Sequence, residues 1–165
     1  MNKAEYWIQH LQLKPHPEGG FFKEVYRSSI EVSNKHLPVG YKSSRRLLTN
    51  IYYLLRSEDI SRLHRLKSDE IWFFHAGSPL KLIYIDTEGK KHTHFLGNNH
   101  EKAEQFSLLV PGGSVFCAEV HEQNSYTLVS CVVSPGFEFE DFEVFDKEDL
   151  IQAYPKHIDL IEKYC

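Results

Sequence analysis

What the chain lacks narrows its function before any motif is read. Three cysteines, Cys117, Cys131 and Cys165, make an odd count without paired spacing, which argues against a secreted disulfide framework. Cys117 and Cys131 fall in apolar stretches and are expected to behave as small buried hydrophobes. There is no basic excess: the net charge is −4 with ten His counted as neutral. Nothing therefore pulls the chain toward phosphate backbones or acidic lipid, and no nucleic-acid or membrane partner is expected. The run Lys42-Ser43-Ser44-Arg45-Arg46 is basic but short, and reads as a solvated strand entrance. No apolar run approaches the roughly 20 residues of a membrane span. The N-terminal stretch has no apolar segment of the kind a signal peptide carries. Internal repeats, low-complexity tracts and linkers are also missing. The expectation is a cytoplasmic, reduced, soluble protein with a single domain over residues 1–165.

Aromatic side chains, by contrast, are abundant: eleven Phe, nine Tyr and two Trp. They bring large buried areas, which points to a thick β core or an aromatic-lined cavity. Residues 3–12 read as a helix, with Asn2 as its cap and Trp7, Ile8 and Leu11 as its apolar stripe. Pro15, Pro17, Gly19 and Gly20 end that helix, and His16 is expected to be exposed in the loop they form. Strands are expected at 21–27, 47–55, 80–85, 91–95, 106–110, 114–120, 126–133 and 137–143. Two short helices, 146–153 and 156–163, follow, the first capped by Asp146. Short strands broken by turns at regular intervals make an all-β antiparallel sandwich or barrel, with the helices packed outside.

One stretch carries candidate chemistry. Residues 61–77 read as strand, turn and strand, with Lys67-Ser68-Asp69 as the turn. His64, Leu66, Glu70, Trp72 and Phe74 alternate and can share one face. A hairpin there would bring His64 and Glu70 together. Ile71, Phe73 and His75 fall on the opposite face and point outward. His92-Thr93-His94 is a second His-x-His, but Lys90-Lys91 adjoins it and no carboxylate follows at hairpin spacing, so it reads as a solvated edge strand.

These residues match a known pattern. The first cupin motif, G-x5-H-x-H-x3-E-x6-G, is met at His64, Glu70 and Gly77, and the second, G-x5-P-x-G-x2-H-x3-N, is echoed by Pro111 and Gly113. The chain thus resembles the cupin superfamily, which implies a double-stranded β-helix, or jelly roll, with short terminal helices outside. More narrowly, His16-Pro17-Glu18-Gly19-Gly20-Phe21-Phe22, Ser68-Asp69-Glu70-Ile71-Trp72 and Ser134-Pro135-Gly136-Phe137 resemble the cupin_5 branch, whose activity is unknown. Metal cupins usually bind through three His and one Glu or Gln. Here the second His position is Leu66, the third is Phe116, and the leading Gly and closing Asn positions are Glu58 and Val120. Catalytic metal sites usually need three protein ligands, so no cofactor is expected beyond weak, adventitious metal binding at His64 and Glu70.

Several expectations follow from the resemblance and the pattern together. The leading one is a small-molecule site for a sugar or sugar nucleotide, with metal-independent epimerase or isomerase chemistry. In it His64 acts as acid or base and Glu70 fixes its tautomer. Arg62 would meet an anionic group, while Trp72, Phe74 and Phe116 form an apolar floor and Thr49 adds a weaker contact. Gly20-Phe21-Phe22-Lys23-Glu24 is similar to a segment of the dTDP-sugar 3,5-epimerases, which use a His base and a Tyr acid without metal. Tyr52, Tyr53 and Tyr126 all qualify for that acid. A non-enzymatic binding or sensor module is the alternative from another class, and a metal-dependent oxygenase is a third. A homodimer is also expected. Exposed apolar rows such as Ile71, Phe73 and His75 mark interfaces, and cupins similar to this chain commonly pair through such a strand, as Phe21–Tyr26 could do.

Overall fold

The computed structural model describes residues 3–165; Asn2, the expected cap of the first helix, lies outside them. Helix α1 (Lys3–Leu11) leads into strands β1 (Lys14–Pro15), β2 (Phe21–Arg27), β3 (Glu31–Val32), β4 (Arg45–Arg46), β5 (Thr49–Arg56), β6 (Ile60–Leu66) and β7 (Asp69–Gly77). Strands β8 (Leu80–Ile85), β9 (Lys91–Leu96), β10 (Ser107–Val110), β11 (Val115–Val120), β12 (Tyr126–Ser134) and β13 (Phe142–Val144) follow, then α2 (Lys147–Ala153) and α3 (Ile158–Tyr164). A large sheet runs β1-β2-β5-β12-β7-β10 and a small one β13-β6-β11-β8-β9, with β3 and β4 as a separate ribbon. The pairings in both sheets are antiparallel. The fold is a jelly roll with short helices at its two ends.

Apolar alternation decides what lies between the layers. Tyr53, Leu55, Trp72, Val129, Cys131 and Val133 of the large sheet meet Leu66, Leu82, Phe116 and Ala118 of the small one in the main core. The opposite face of the large sheet is partly roofed by α1, where Trp7, Ile8 and Leu11 pack on Leu54, Tyr126 and Leu128. The outer face of the small sheet is covered by α2 and α3 through Leu150, Ile161 and Tyr164. Asp146 stands at the N-cap of α2, but its side chain makes no capping hydrogen bond.

Two sequence expectations change here. First, residues 61–77 are not a hairpin. Strand β6 belongs to the small sheet and β7 to the large one, so the chain crosses the core at Lys67-Ser68 and the two strands face each other. An alternating pattern looks the same in both cases, because both put one face inside. Second, 137–143 is not one strand. Phe139–Asp141 is a 3-10 turn, and only Phe142–Val144 joins the sheet. The cause is Arg45, fully buried, whose Nε and Nη2 donate to the two carboxylate oxygens of Asp141 at 2.6 and 3.0 Å. That two-point bond pins the segment before it can extend.

On the large sheet, Ile71, Phe73 and Leu109 lie exposed in neighbouring strands, and Tyr26 is exposed on β2. An apolar row of this kind is expected to pair two copies. Light scattering of the wild type at micromolar concentration is expected to give a dimer mass, and Phe73→Glu a monomer with unchanged far-ultraviolet circular dichroism. A monomeric wild type would refute this.

Candidate functional site

Two backbone irregularities build the site. In β6, Ser61 pairs with Ala118 and His64 with Phe116, so Arg62 and Leu63 together oppose Cys117. This β-bulge breaks strict alternation. It turns Ser61 and His64 both inward, sends Leu63 to the layer beneath the C-terminal helices, and leaves Arg62 exposed. In β2 a second shift lies between Glu24 and Tyr26. It lets Glu24 and Arg27 both line the cavity while Tyr26 points to solvent.

The loop ahead of β2 supplies what the strands do not. Gly19 has φ +115°, and a Cβ there would meet the Ile60 carbonyl oxygen at 2.0 Å. Only glycine allows this approach. Close packing against β6 is then sealed by the Arg62 amide, which donates to the Glu18 carbonyl at 3.1 Å. Glu18 enters the interior as a result, 6% exposed. Its Oε1 accepts from the Ser61 hydroxyl at 2.8 Å, and its Oε2 lies 3.0 Å from His64 Nε2. His64 Nδ1 lies 2.7 Å from the Arg62 carbonyl, so Nδ1 carries a proton and donates. Both imidazole nitrogens are thereby bonded within the protein. Burial opposes the charge on His64, but the Glu18 carboxylate and the Arg62 carbonyl outweigh it and raise the imidazole above its ordinary value. Burial likewise pushes Glu18 up, yet the His64 charge and hydrogen bond, with help from His16 and Ser61, hold it below the usual carboxylate range. The pair is an imidazolium and a carboxylate near neutral pH.

Glu70 sits in a different environment. It is 5% exposed and accepts at Oε2 from the Trp72 indole N–H at 2.8 Å. Burial raises its carboxyl to about 7, the His64 charge pulling back, the Glu18 charge adding, and the Trp72 bond pulling back again. Among the described residues Trp72 is the one that donates a side-chain hydrogen bond to this carboxyl. His16 is mostly covered rather than exposed. Its ring packs edge-on to Phe22 and Tyr53, at 4.6 and 5.4 Å between centroids. Its Nδ1 accepts from the Glu18 amide at 3.2 Å, and burial lowers its pKa against the pull of Glu18. The neutral ring therefore carries its proton on Nε2.

These groups surround a cavity of about 780 Å³, counted to its open mouth. Of the residues singled out from sequence, His64, Glu70, Trp72 and Thr49 line it. Thr49 accepts from the Phe137 amide at 3.0 Å. Phe116 does not line it but packs on the His64 ring, 4.0 Å between centroids. Phe74 is half-buried against the core elsewhere. Arg62 is turned away by the bulge, so its side chain meets no ligand here. The partner of His64 is Glu18, not Glu70, because the cavity separates strands of opposite sheets. Of the three tyrosines, Tyr53 alone lines the cavity, and its hydroxyl donates to the Gly19 carbonyl at 2.7 Å. His16, Glu18, Glu24 and Arg27 were not foreseen as site residues. The signal was there in the two chemistry-bearing side chains set inside a Pro- and Gly-rich loop. The His92-Thr93-His94 strand is less solvated than expected: His92 Nε2 meets Asp86 at 2.7 Å and stacks on Tyr84.

The raised Glu70 carboxyl predicts a pH-dependent stability. The folded state keeps the proton where the unfolded chain releases it, so this contribution is whole below about pH 4.5 and is lost as pH rises to about 7. Glu70→Gln stays neutral throughout. In urea titrations it is expected to match the wild type at pH 4 and to exceed it by about 3 kcal/mol at pH 8. Glu18→Gln leaves the His64 cation without its counter-charge and is expected to cost about 3–5 kcal/mol at pH 7, with the imidazole titrating at lower pH by NMR.

Comparison with known proteins agrees with this architecture. A hypothetical protein from Leishmania major has a structure that superposes with a TM-score of 0.90 at 40% identity, covering 98% of both chains. A protein from Shewanella oneidensis gives 0.85 at 39% identity, over 99% of this chain and 97% of its own. An uncharacterized protein of Saccharomyces cerevisiae is 29% identical over 151 residues, 86% of this chain and 75% of its own. Oxalate decarboxylase from Bacillus subtilis shares the fold alone, with a TM-score of 0.56 at 16% identity over 92% of this chain and 36% of its own. Residues 5–145 match the Cupin_5 family, described as Cupin superfamily (DUF985), and the chain belongs to that family.

Proposed function

We propose that the cavity binds a small polar ring, such as a sugar, and moves a proton on it in an epimerase- or isomerase-like step. In this reading Glu70, rather than His64, exchanges the proton. The observation that carries it is the contrast between the two groups. Both His64 nitrogens are spent on Glu18 and the Arg62 carbonyl. Glu70 lines the same cavity, is held by Trp72, and titrates near 7. A carboxyl poised near the working pH is suited to both give and take a proton. His16 would present Nε2–H as a fixed donor to a ligand oxygen, in the manner of a neutral imidazole electrophile. The Glu18–His64 pair would hold the cavity wall and bias Glu70 through its charges.

The metal that the fold family often carries does not fit this donor set. Positions 66 and 116 offer carbon only, and His64 has no nitrogen free. Among the described residues no three His, Cys, Asp or Glu side chains are grouped to hold an ion. No step is assigned to a metal. Elemental analysis after chelator treatment is expected to find no stoichiometric zinc, iron, nickel or manganese.

The activity test is solvent-deuterium incorporation across a panel of neutral sugars, amino sugars and sugar nucleotides, with exchange on any one of them counting as activity. Wild type is expected to exchange, and Glu70→Gln to exchange about 100-fold more slowly or less. Unchanged exchange in Glu70→Gln would remove this residue from the chemistry. Absent exchange with ligand still bound by the wild type would leave a binding or sensor module.

A further inference from the structure

The charges around the cavity constrain the ligand, given that the cavity is a small-molecule site. Its lining carries four carboxylates, Glu18, Glu24, Glu70 and Glu138, against one guanidinium, Arg27, and two imidazoles. Among the described residues no lysine lines it. An anion would need a free positive donor, and the two cations present are already engaged. Arg27 donates from Nε and Nη2 to Glu24 at 3.0 and 2.8 Å, from Nη1 to Glu138 at 2.7 Å, and from Nη2 to the Phe137 carbonyl at 3.3 Å. Four of the five N–H donors of the planar fork are taken by the protein's own acceptors. His64 is filled in the same way by Glu18 and Arg62. What remains open is negative or neutral. Glu24 and Glu138 sit at the half-exposed mouth, with 39% and 43% of their side chains accessible, and Glu70 lies deeper.

The walls add to the same preference. Phe137, Phe139 and Phe142 form an aromatic group at the mouth, with centroids 5.1–6.5 Å apart. Tyr53 and Trp72 meet edge-on further in, at 5.7 Å. Aromatic faces attract cations and repel anions, and a low-dielectric cavity strengthens the discrimination between the two. We infer that the site selects a small organic cation, an ammonium or amidinium with a flat apolar face, over any phosphate- or carboxylate-bearing ligand. This rests on the small-molecule reading above and narrows it: a diphosphate of the sugar-nucleotide kind would meet, at the mouth, two carboxylates that share a single guanidinium and so leave an excess of negative charge.

The test uses three ring compounds of one shape, benzamidinium, benzamide and benzoate, which are cation, neutral and anion. Binding is read at pH 7 from the indole N–H resonance of Trp72. Trp7, bonded to Tyr126 beneath α1, serves as the internal control. Benzamidinium is expected to bind at least about tenfold more tightly than benzoate. In the double variant Glu24→Gln with Glu138→Gln, Arg27 is freed, and that ratio is expected to fall toward one or reverse. Benzoate binding as tightly as benzamidinium to the wild type overturns the charge inference, and with benzamide also bound the small-molecule reading survives. A Trp72 resonance unmoved by all three removes the small-molecule reading, and the inference with it.

Discussion

An imidazolium and a carboxylate 3.0 Å apart inside an aromatic core can persist only if every remaining atom of both finds a partner. That constraint organises the site. Glu18 needs the Ser61 hydroxyl, so Ser61 must face inward. His64 needs an acceptor for its second N–H, so the Arg62 carbonyl must turn toward it. Residues three apart on a regular strand lie on opposite faces. The bulge at Arg62-Leu63 resolves this conflict, and Gly19 brings the loop within reach. Remove any one and a charge is left buried without compensation.

The jelly-roll crossing then gives the cavity its two chemically different walls. The small sheet and the loop present a closed ion pair. The large sheet presents Glu70, with its proton held near neutrality by burial. Two carboxylates in one cavity thus end on opposite sides of the normal carboxylate range, Glu18 below and Glu70 above. The difference arises from neighbours, not from residue type: Glu18 has a cation in contact, and Glu70 has one indole N–H.

Much of this was legible in the residues. Alternation in 70–75 separated Glu70, Trp72 and Phe74 from Ile71, Phe73 and His75, because strand geometry enforces a period of two. The motif spacing around His64 and Glu70 fixed the family and the jelly roll. Three things were not legible. Whether Lys67-Ser68 folds back or crosses the core leaves no mark on alternation. The bulge that turns Arg62 outward has no pattern of its own, since it is set by pairing with β11. Glu18 and His16 lie in an irregular loop, where no period says which way a side chain points. Asp141 likewise departs from its expected strand because Arg45, distant in sequence, holds it.

The peptide of Arg62 has a part in the site that its side chain does not share. Its N–H fastens the Glu18 segment and its carbonyl orders the His64 ring, while the guanidinium faces solvent. The two bonds therefore ask nothing of the side chain at this position, only that the amide hydrogen be present. Alanine scanning would score the position as silent, and proline alone would expose it.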